Sequence, residues 1–446
     1  MQLSCTSELS IVVSPIPLFF FFLFVVLPPS VYYLQPTSTA PSLASLAFKD
    51  ICLQLETFVA GKKAPASFVC RGLVPIETKP ASQTNFVSPP VRICWRTSVD
   101  KILRELVLPL DSNTDSKTAS DDLRQLVLDC DPASFGRGQE DVLDPEYRKA
   151  GKLEPRHFLT SFHPSDFGIL QNVEQILLPN FNTVSQNRLP FRKLNAELYK
   201  LNVYSGPSGL FRKHVDTPRS QSQIGSLVVC LPSHFKGGNL VVQHEGNQVA
   251  FDWSEQSASA IQWAAFYSDC EHEIKPITEG ERITLTYNLY VAEPMGGSIL
   301  PSLIVDPKSL PLYSFLKELV LEPRVMKKGG AFGFFCSHAY PHTSDEAPTL
   351  LPRALKGADL LQYSVFGSIG IKIDVVPVVL KDRYGLPSKK DMRVGDKLCS
   401  YTTGDLLEDE GEEIEETLGK YKPRLTWIGP PTHKEREGPY LSDLRE

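Results

Sequence analysis

Two side chains one residue apart, His214 and Asp216 in Lys213-His-Val-Asp-Thr-Pro218, are the first candidates for chemistry. In a strand, residues i and i+2 leave the same face, so an imidazole and a carboxylate at this spacing can take adjacent corners of one metal ion. A second imidazole from a distant strand would complete a facial set of two His and one carboxylate, the arrangement of non-haem iron sites that keep positions open for a co-substrate and dioxygen. His272, in Phe266-Tyr-Ser-Asp-Cys-Glu-His272-Glu-Ile274, is the candidate. Ten residues further on, Arg282 opens the alternating stretch Arg282-Ile-Thr-Leu-Thr-Tyr-Asn-Leu289. A guanidinium there can fork onto a carboxylate.

The order His-x-Asp, long gap, His, ten residues, Arg resembles that of the 2-oxoglutarate and Fe(II)-dependent dioxygenases, in particular their prolyl 4-hydroxylase-like branch, over roughly residues 195–291. Tyr204-Ser-Gly-Pro-Ser-Gly-Leu-Phe-Arg-Lys-His214-Val-Asp216-Thr-Pro218 is similar to the metal-binding stretch of the oxygen-sensing prolyl hydroxylases, and Phe235-Lys-Gly-Gly238 looks like the Gly-Gly turn of that fold. The resemblance implies Fe(II) on His214, Asp216 and His272. It implies 2-oxoglutarate and dioxygen as co-substrates, with ascorbate as an optional reductant. Arg282 would clamp the distal carboxylate of 2-oxoglutarate and Tyr204 would contact the same molecule. Where the family places a second co-substrate tyrosine this chain has Cys230. Glu273 could orient a ligand or face solvent. Lys213 and Arg212 could steer an acidic molecule, although exposed loop charge is the preferred reading. Hydroxylation of a peptidyl or protein side chain is the implied reaction; a small-molecule substrate stays open, since one site of this kind serves many substrates. A non-catalytic metal-binding jelly-roll interaction module and a metal cupin that uses no 2-oxoglutarate are the alternatives. Arg282 speaks against the second of these.

The elements that must position these residues are legible as eight short runs rich in β-branched and aromatic residues between 197 and 291, each bounded by Gly, Pro or Ser. That spacing is all-β and permits a sandwich or a jelly roll; the resemblance selects the double-stranded β-helix. The expected fold is a mainly β, cupin-type jelly roll over 191–292, with a helical support region over 99–190 and a C-terminal α+β extension over 293–385. Helices are expected from Val99 through Leu106, from Asp115 to Cys130, from Gly168 to Leu178 and over Tyr313–Leu321, with strands at Gly330–Phe335 and Ser364–Val379 and a helix stop at Gly357. Residues 36–98 are rich in Pro and Ser, with one amphipathic stretch at Leu46–Val59, and 386–446 is a polar tail with an acidic run at Glu408–Glu416 and Trp427 as a docking residue.

Residues 1–35 contain the apolar run Pro17–Leu27, which reads as a signal core, an anchor over 10–34, or a gene-model artefact. A membrane enters only through that anchor, and the compartment is left open between cytoplasmic or nuclear and secretory. The chain's 446 residues are ample for a large core. A net charge of −6 supplies no basic field, so nucleic acid is not an indicated partner. Nine scattered cysteines without a Cys-x-x-Cys pair indicate neither a disulfide framework nor a zinc ribbon. Phe135-Gly-Arg-Gly138 reads as a loop, and His338 with His342, close to Pro341, reads as loop rather than as a second metal pair.

Overall fold

A computed structural model describes residues 19–27, 68–76, 87–97, 102–110, 116–137, 140–181, 192–292, 304–321, 330–340, 351–380, 392–394 and 425–428, with the single positions 53, 55 and 57. Eight strands form the barrel: β1 (Lys193–Ser205), β2 (Leu210–His214), β3 (Gln223–Cys230), β4 (Leu240–His244), β5 (Asn247–Phe251), β6 (Ala260–Tyr267), β7 (Glu271–Ile274) and β8 (Ile277–Ala292). One sheet runs β6-β3-β8-β1 and the other β5-β4-β7-β2. Apart from the β4–β5 hairpin, successive strands alternate between the two sheets, which is the winding of a double-stranded β-helix. All the barrel pairings are antiparallel. The β4–β5 connection is a two-residue turn with positive φ at both Glu245 and Gly246, the geometry that matches strand twist in a tight hairpin.

Two neighbouring strands of the larger sheet, β3 and β6, are buried at every position. Alternation is lost because both faces are covered. The helix Ile169–Leu177 lies against β6 and its neighbour and buries Ile169, Leu170, Val173 and Leu177, one helical face. The sheet is extended outside β6 by Val69–Pro75 and outside β1 by Gly151–Leu153 and Asp131–Pro132. Arg148–Lys149 extends the smaller sheet beside β2.

Gly225 sits where β3 shifts register against β8, and a Cβ there would run into the backbone carbonyl of Phe266 on β6. Backbone cannot rotate away as a side chain can. Gly225→Ala is therefore expected to cost about 1–3 kcal/mol, read as a lower urea midpoint at unchanged slope; an unchanged midpoint would show that the two strands are free to separate.

A second hydrophobic core, including Leu316, Phe332, Phe334, Leu360 and Phe366, underlies a five-stranded sheet in the order Met392–Val394, Lys372–Leu380, Phe19–Leu27, Gly330–Phe335, Leu425–Ile428. The helices Pro311–Leu321 and Gly357–Ser368 contribute to this core. The apolar run of the first 35 residues thus supplies the middle strand, paired on both sides. Its pairing partners on both sides lie more than 300 residues further along the chain. The strand containing Trp427 pairs in parallel with Gly330–Phe335, so the tail does return to the fold.

Several local expectations are corrected. Of the helix expected from Val99 through Leu106, residues 99–101 lie outside the described residues and the remainder is not helical: Arg104–Leu108 is a strand paired with Val91–Trp95, because cross-strand partners outweigh a short helical spacing. The support region over 99–190 accordingly holds the helices Ser116–Asp129 and Ile169–Leu177 among several short strands. Two strands, Val69–Pro75 and Val91–Trp95, fall within the Pro/Ser-rich stretch 36–98. Phe135–Arg137 pairs with Glu140–Val142 rather than forming a bare loop. Gly357 begins a helix instead of ending one, and residues 364–368 belong to that helix before the strand Lys372–Leu380. Most of Leu46–Val59 and all of Glu408–Glu416 lie outside the described residues. Among the described residues no helix is long and apolar enough to cross a membrane.

Candidate metal centre

The fold brings His214, Asp216 and His272 together, one ligand atom from each within 4.8 Å of the others. His214 ends β2 and pairs in register with His272 on β7, and the pairing of these strands is irregular just before that point. The irregularity frees the chain beyond His214 to turn Asp216 back toward the ring of His272, whose Nε2 lies 3.7 Å from Asp216 Oδ1. The two imidazole rings are 4.1 Å apart between centroids and tilted by 53°.

Each ligand atom is prepared by a partner on the far side of its group. Nδ1 of His214 lies 2.8 Å from the carbonyl of Arg212, and Nδ1 of His272 lies 3.2 Å from the carbonyl of Cys270. A carbonyl can only accept, so Nδ1 carries a proton in both rings, and in the neutral imidazole that tautomer leaves the lone pair on Nε2. Ser226 on β3 donates to Asp216 Oδ2 at 2.6 Å and leaves Oδ1 facing the imidazoles. Burial, reinforced by the neighbouring His272, pushes His214 down to about 3, so its ring is neutral near pH 7. Burial alone would raise Asp216; the adjacent His272 and His214, with the Ser226 hydrogen bond, outweigh it and hold the carboxyl below its ordinary range. Neutral imidazoles and an ionised carboxylate are the forms a metal ion takes.

Arg282 lies inside the barrel with no solvent exposure, and its Nε, Nη1 and Nη2 have no hydrogen-bond partner among the described residues. Its guanidinium is 5.2 Å from the centre of the Trp253 ring and 5.7 Å from that of Tyr204, which stands opposite it in the β1–β8 register. Cys230, on β3, is also beside it: burial pushes the thiol up to about 11 against the pull of Arg282. A buried cation with unused donors is costly unless an anion meets it. A dicarboxylate chelating a metal at one end fits this site, because the forked donors meet no carboxylate among the described residues. Gly238, with φ +69°, backs the Arg282 stem, and a Cβ there would crowd both Ile277 and Arg282.

Other polar residues near the motif prove structural. Glu273 points to the opposite side of β7 from His272 and pairs with Lys275 at 2.7 Å, so it does not orient a ligand. Lys213 pairs with Glu271 at 2.8 Å, and Arg212 donates to the carbonyl of Glu146. Three contributors escaped the sequence reading. Ser226 carries no local signal of its role, and Trp253 none of its place over Arg282. Arg148 stacks 4.4 Å over Phe211, itself stacked on His214 at 3.5 Å, and donates to Asn202.

Residues 199–290 match the family model of the 2OG-Fe(II) oxygenase superfamily. No curated protein matches the chain in sequence. Among solved structures it is similar to a prolyl-4-hydroxylase from Pseudomonas putida, at 17% identity over 39% of this chain and 84% of that one, with a TM-score of 0.24. It is also similar to a Trichoplax adhaerens prolyl hydroxylase solved with a hypoxia inducible factor peptide fragment, at 13% identity over 55% and 78% of the two chains and a TM-score of 0.18. A prolyl 4-hydroxylase from Phytophthora capsici matches at 21% identity over 35% and 50%, with a TM-score of 0.18. The matched segment, the jelly roll and the His-Asp-His cluster define a 2OG-Fe(II) oxygenase domain. The chemistry of that domain is dioxygenase chemistry, with Fe(II), 2-oxoglutarate and dioxygen.

Proposed function

We propose that this dioxygenase hydroxylates a peptidyl or protein side chain in the manner of the prolyl 4-hydroxylases, with iron held by His214, Asp216 and His272 and with 2-oxoglutarate held by Arg282 and Tyr204. The observation that carries the assignment of residues is the pairing of a convergent His-Asp-His cluster with a fully buried arginine whose donors have no hydrogen-bond partner among the described residues. Iron when bound supplies the oxidative chemistry, coupling decarboxylation of 2-oxoglutarate to succinate with oxidation of a substrate C–H bond. The chain's own groups position and shelter: the two carbonyls fix the imidazole tautomers, Ser226 fixes the carboxylate, and the barrel keeps water from the Arg282 end. The other end is open. Asp216 keeps 30% of its side-chain surface exposed, and a centre at a rim can accept a side chain presented on a polypeptide. The similarity of Tyr204 through Pro218 to the metal-binding stretch of prolyl hydroxylases favours proline as the target.

Purified protein given Fe(II), ascorbate and 2-oxoglutarate is expected to release succinate above a metal-free control. A library of proline-containing peptides should stimulate that release and yield a product carrying one added oxygen on proline, read by tandem mass spectrometry. Succinate release that no peptide stimulates, while a free metabolite does, would overturn the polypeptide assignment and leave the dioxygenase intact.

A further inference from the structure

A second cluster of the same composition lies at the junction between the barrel and the C-terminal sheet. His244, at the end of β4, Asp269, in the turn between β6 and β7, and His338, just after the strand Gly330–Phe335, each bring a ligand atom within 4.8 Å of the others, and all three are buried. Its dimensions match the first cluster. His244 Nε2 lies 3.7 Å and His338 Nδ1 3.1 Å from Asp269 Oδ2, and the ring centroids are 4.4 Å apart. Donor atoms about 2.0–2.2 Å from a shared zinc ion at near-tetrahedral angles stand about 3.3–3.5 Å from one another, so these separations suit one ion.

The protein's own contacts explain only part of this cluster. His338 can donate Nδ1–H to Asp269, the backbone N–H of Ala339 donates to Asp269 Oδ2 at 2.9 Å, and Lys356 Nζ sits 3.4 Å from Oδ1. His244 Nε2, in contrast, is buried 3.7 Å from Asp269 Oδ2, too far for a hydrogen bond, and has no hydrogen-bond partner among the described residues. A buried polar atom without a partner calls for an explanation. Lys356 engages the other carboxylate oxygen and the carbonyl of Ala339, so it can keep both contacts with a cation on the Oδ2 side. Burial raises Asp269, but Lys356 and His338, helped by His244, hold it well below its ordinary range, and burial favours the neutral form of His338.

We propose that His244, Asp269 and His338 form a second, structural metal site for a zinc-like divalent cation, which ties the segment after Gly330–Phe335 to the β6–β7 turn that leads into His272. A bound ion would add a crosslink between two cores that otherwise meet through hydrogen bonds, and loss of the ion would loosen the turn three residues before an iron ligand.

The test is Co(II) binding to metal-stripped, full-length protein, counted by equilibrium dialysis with visible absorption as a second readout. Wild type should bind two equivalents. The His214→Ala/Asp216→Ala variant, which leaves the junction untouched, should keep one, with the strong visible absorption of a four-coordinate cobalt site. His244→Gln and His338→Asn should each lose that equivalent and its absorption while keeping the one at the first cluster; the Asn side chain can still donate to Asp269, so the hydrogen-bonded junction survives. Chelation should lower the melting temperature of His214→Ala/Asp216→Ala, which holds an ion only at the junction, and leave that of His214→Ala/Asp216→Ala/His338→Asn unchanged. A single equivalent in wild type, or none in His214→Ala/Asp216→Ala, would overturn the site and leave Asp269 as a carboxylate satisfied by Lys356 and His338.

Discussion

His214→Ala, Asp216→Ala and His272→Ala are each expected to lose the iron equivalent of the first cluster, with affinity for Fe(II) or Mn(II) falling by more than the roughly 10–100-fold typical of removing a hydrogen-bond partner that orients a metal ligand. Each side chain supplies one of three donors to a single ion, and the remaining pair offers too few for the octahedral set such sites use. The effects should not add, because the first substitution already dismantles the unit. His214→Ala/Asp216→Ala should therefore bind no less metal at this cluster than either single variant. Ser226→Ala, which removes only the hydrogen bond to Asp216 Oδ2, should fall in the 10–100-fold range. Manganese titration followed by electron paramagnetic resonance measures all of these. Full occupancy in two of the three single variants would refute the triad.

The triad was legible in the sequence because its first two members are local: a spacing of two on a strand fixes their common face whatever the rest of the fold does. His272 and Arg282 could be ordered behind them because both lie on short alternating runs whose facing is set by the same period. What could not be read depended on contacts between distant segments. Ser226 is one of many serines until β3 is placed behind Asp216. His244, Asp269 and His338 come from three elements separated by 25 and 69 residues, without a shared motif, so neither their convergence nor the orphaned nitrogen could be seen before folding. The same reason explains Phe19–Leu27 and Arg104–Leu108. In each case, the deciding partner strand, at Gly330–Phe335 or Val91–Trp95, outweighed what the local pattern suggested.

Arg282→Ala is expected to weaken 2-oxoglutarate binding by about 30-fold or more, since removing one partner of a buried, hydrogen-bonded ion pair costs roughly 2–5 kcal/mol and each 1.4 kcal/mol is a factor of ten. Metal affinity without 2-oxoglutarate should barely change. Arg282→Lys should recover part of the loss, because an ammonium supplies charge without the bidentate fork. The stability of the protein separates a ligand-binding arginine from a structural one. Arg282 is wholly buried and donates to nothing among the described residues, so in the absence of a dicarboxylate it burdens the fold. Arg282→Met, similar in length and apolar, should therefore melt at the same temperature as metal-loaded wild type or higher. Adding 2-oxoglutarate should then raise the wild-type melting temperature in proportion to the logarithm of its concentration above Kd and leave Arg282→Met unmoved. Calorimetric titration into the Mn(II)-loaded protein gives the affinities and differential scanning calorimetry the melting points. Equal 2-oxoglutarate affinity in wild type and Arg282→Ala would remove the co-substrate role from this residue. A large drop in the melting temperature of Arg282→Met would instead assign the guanidinium to holding the β1–β8 face of the barrel together.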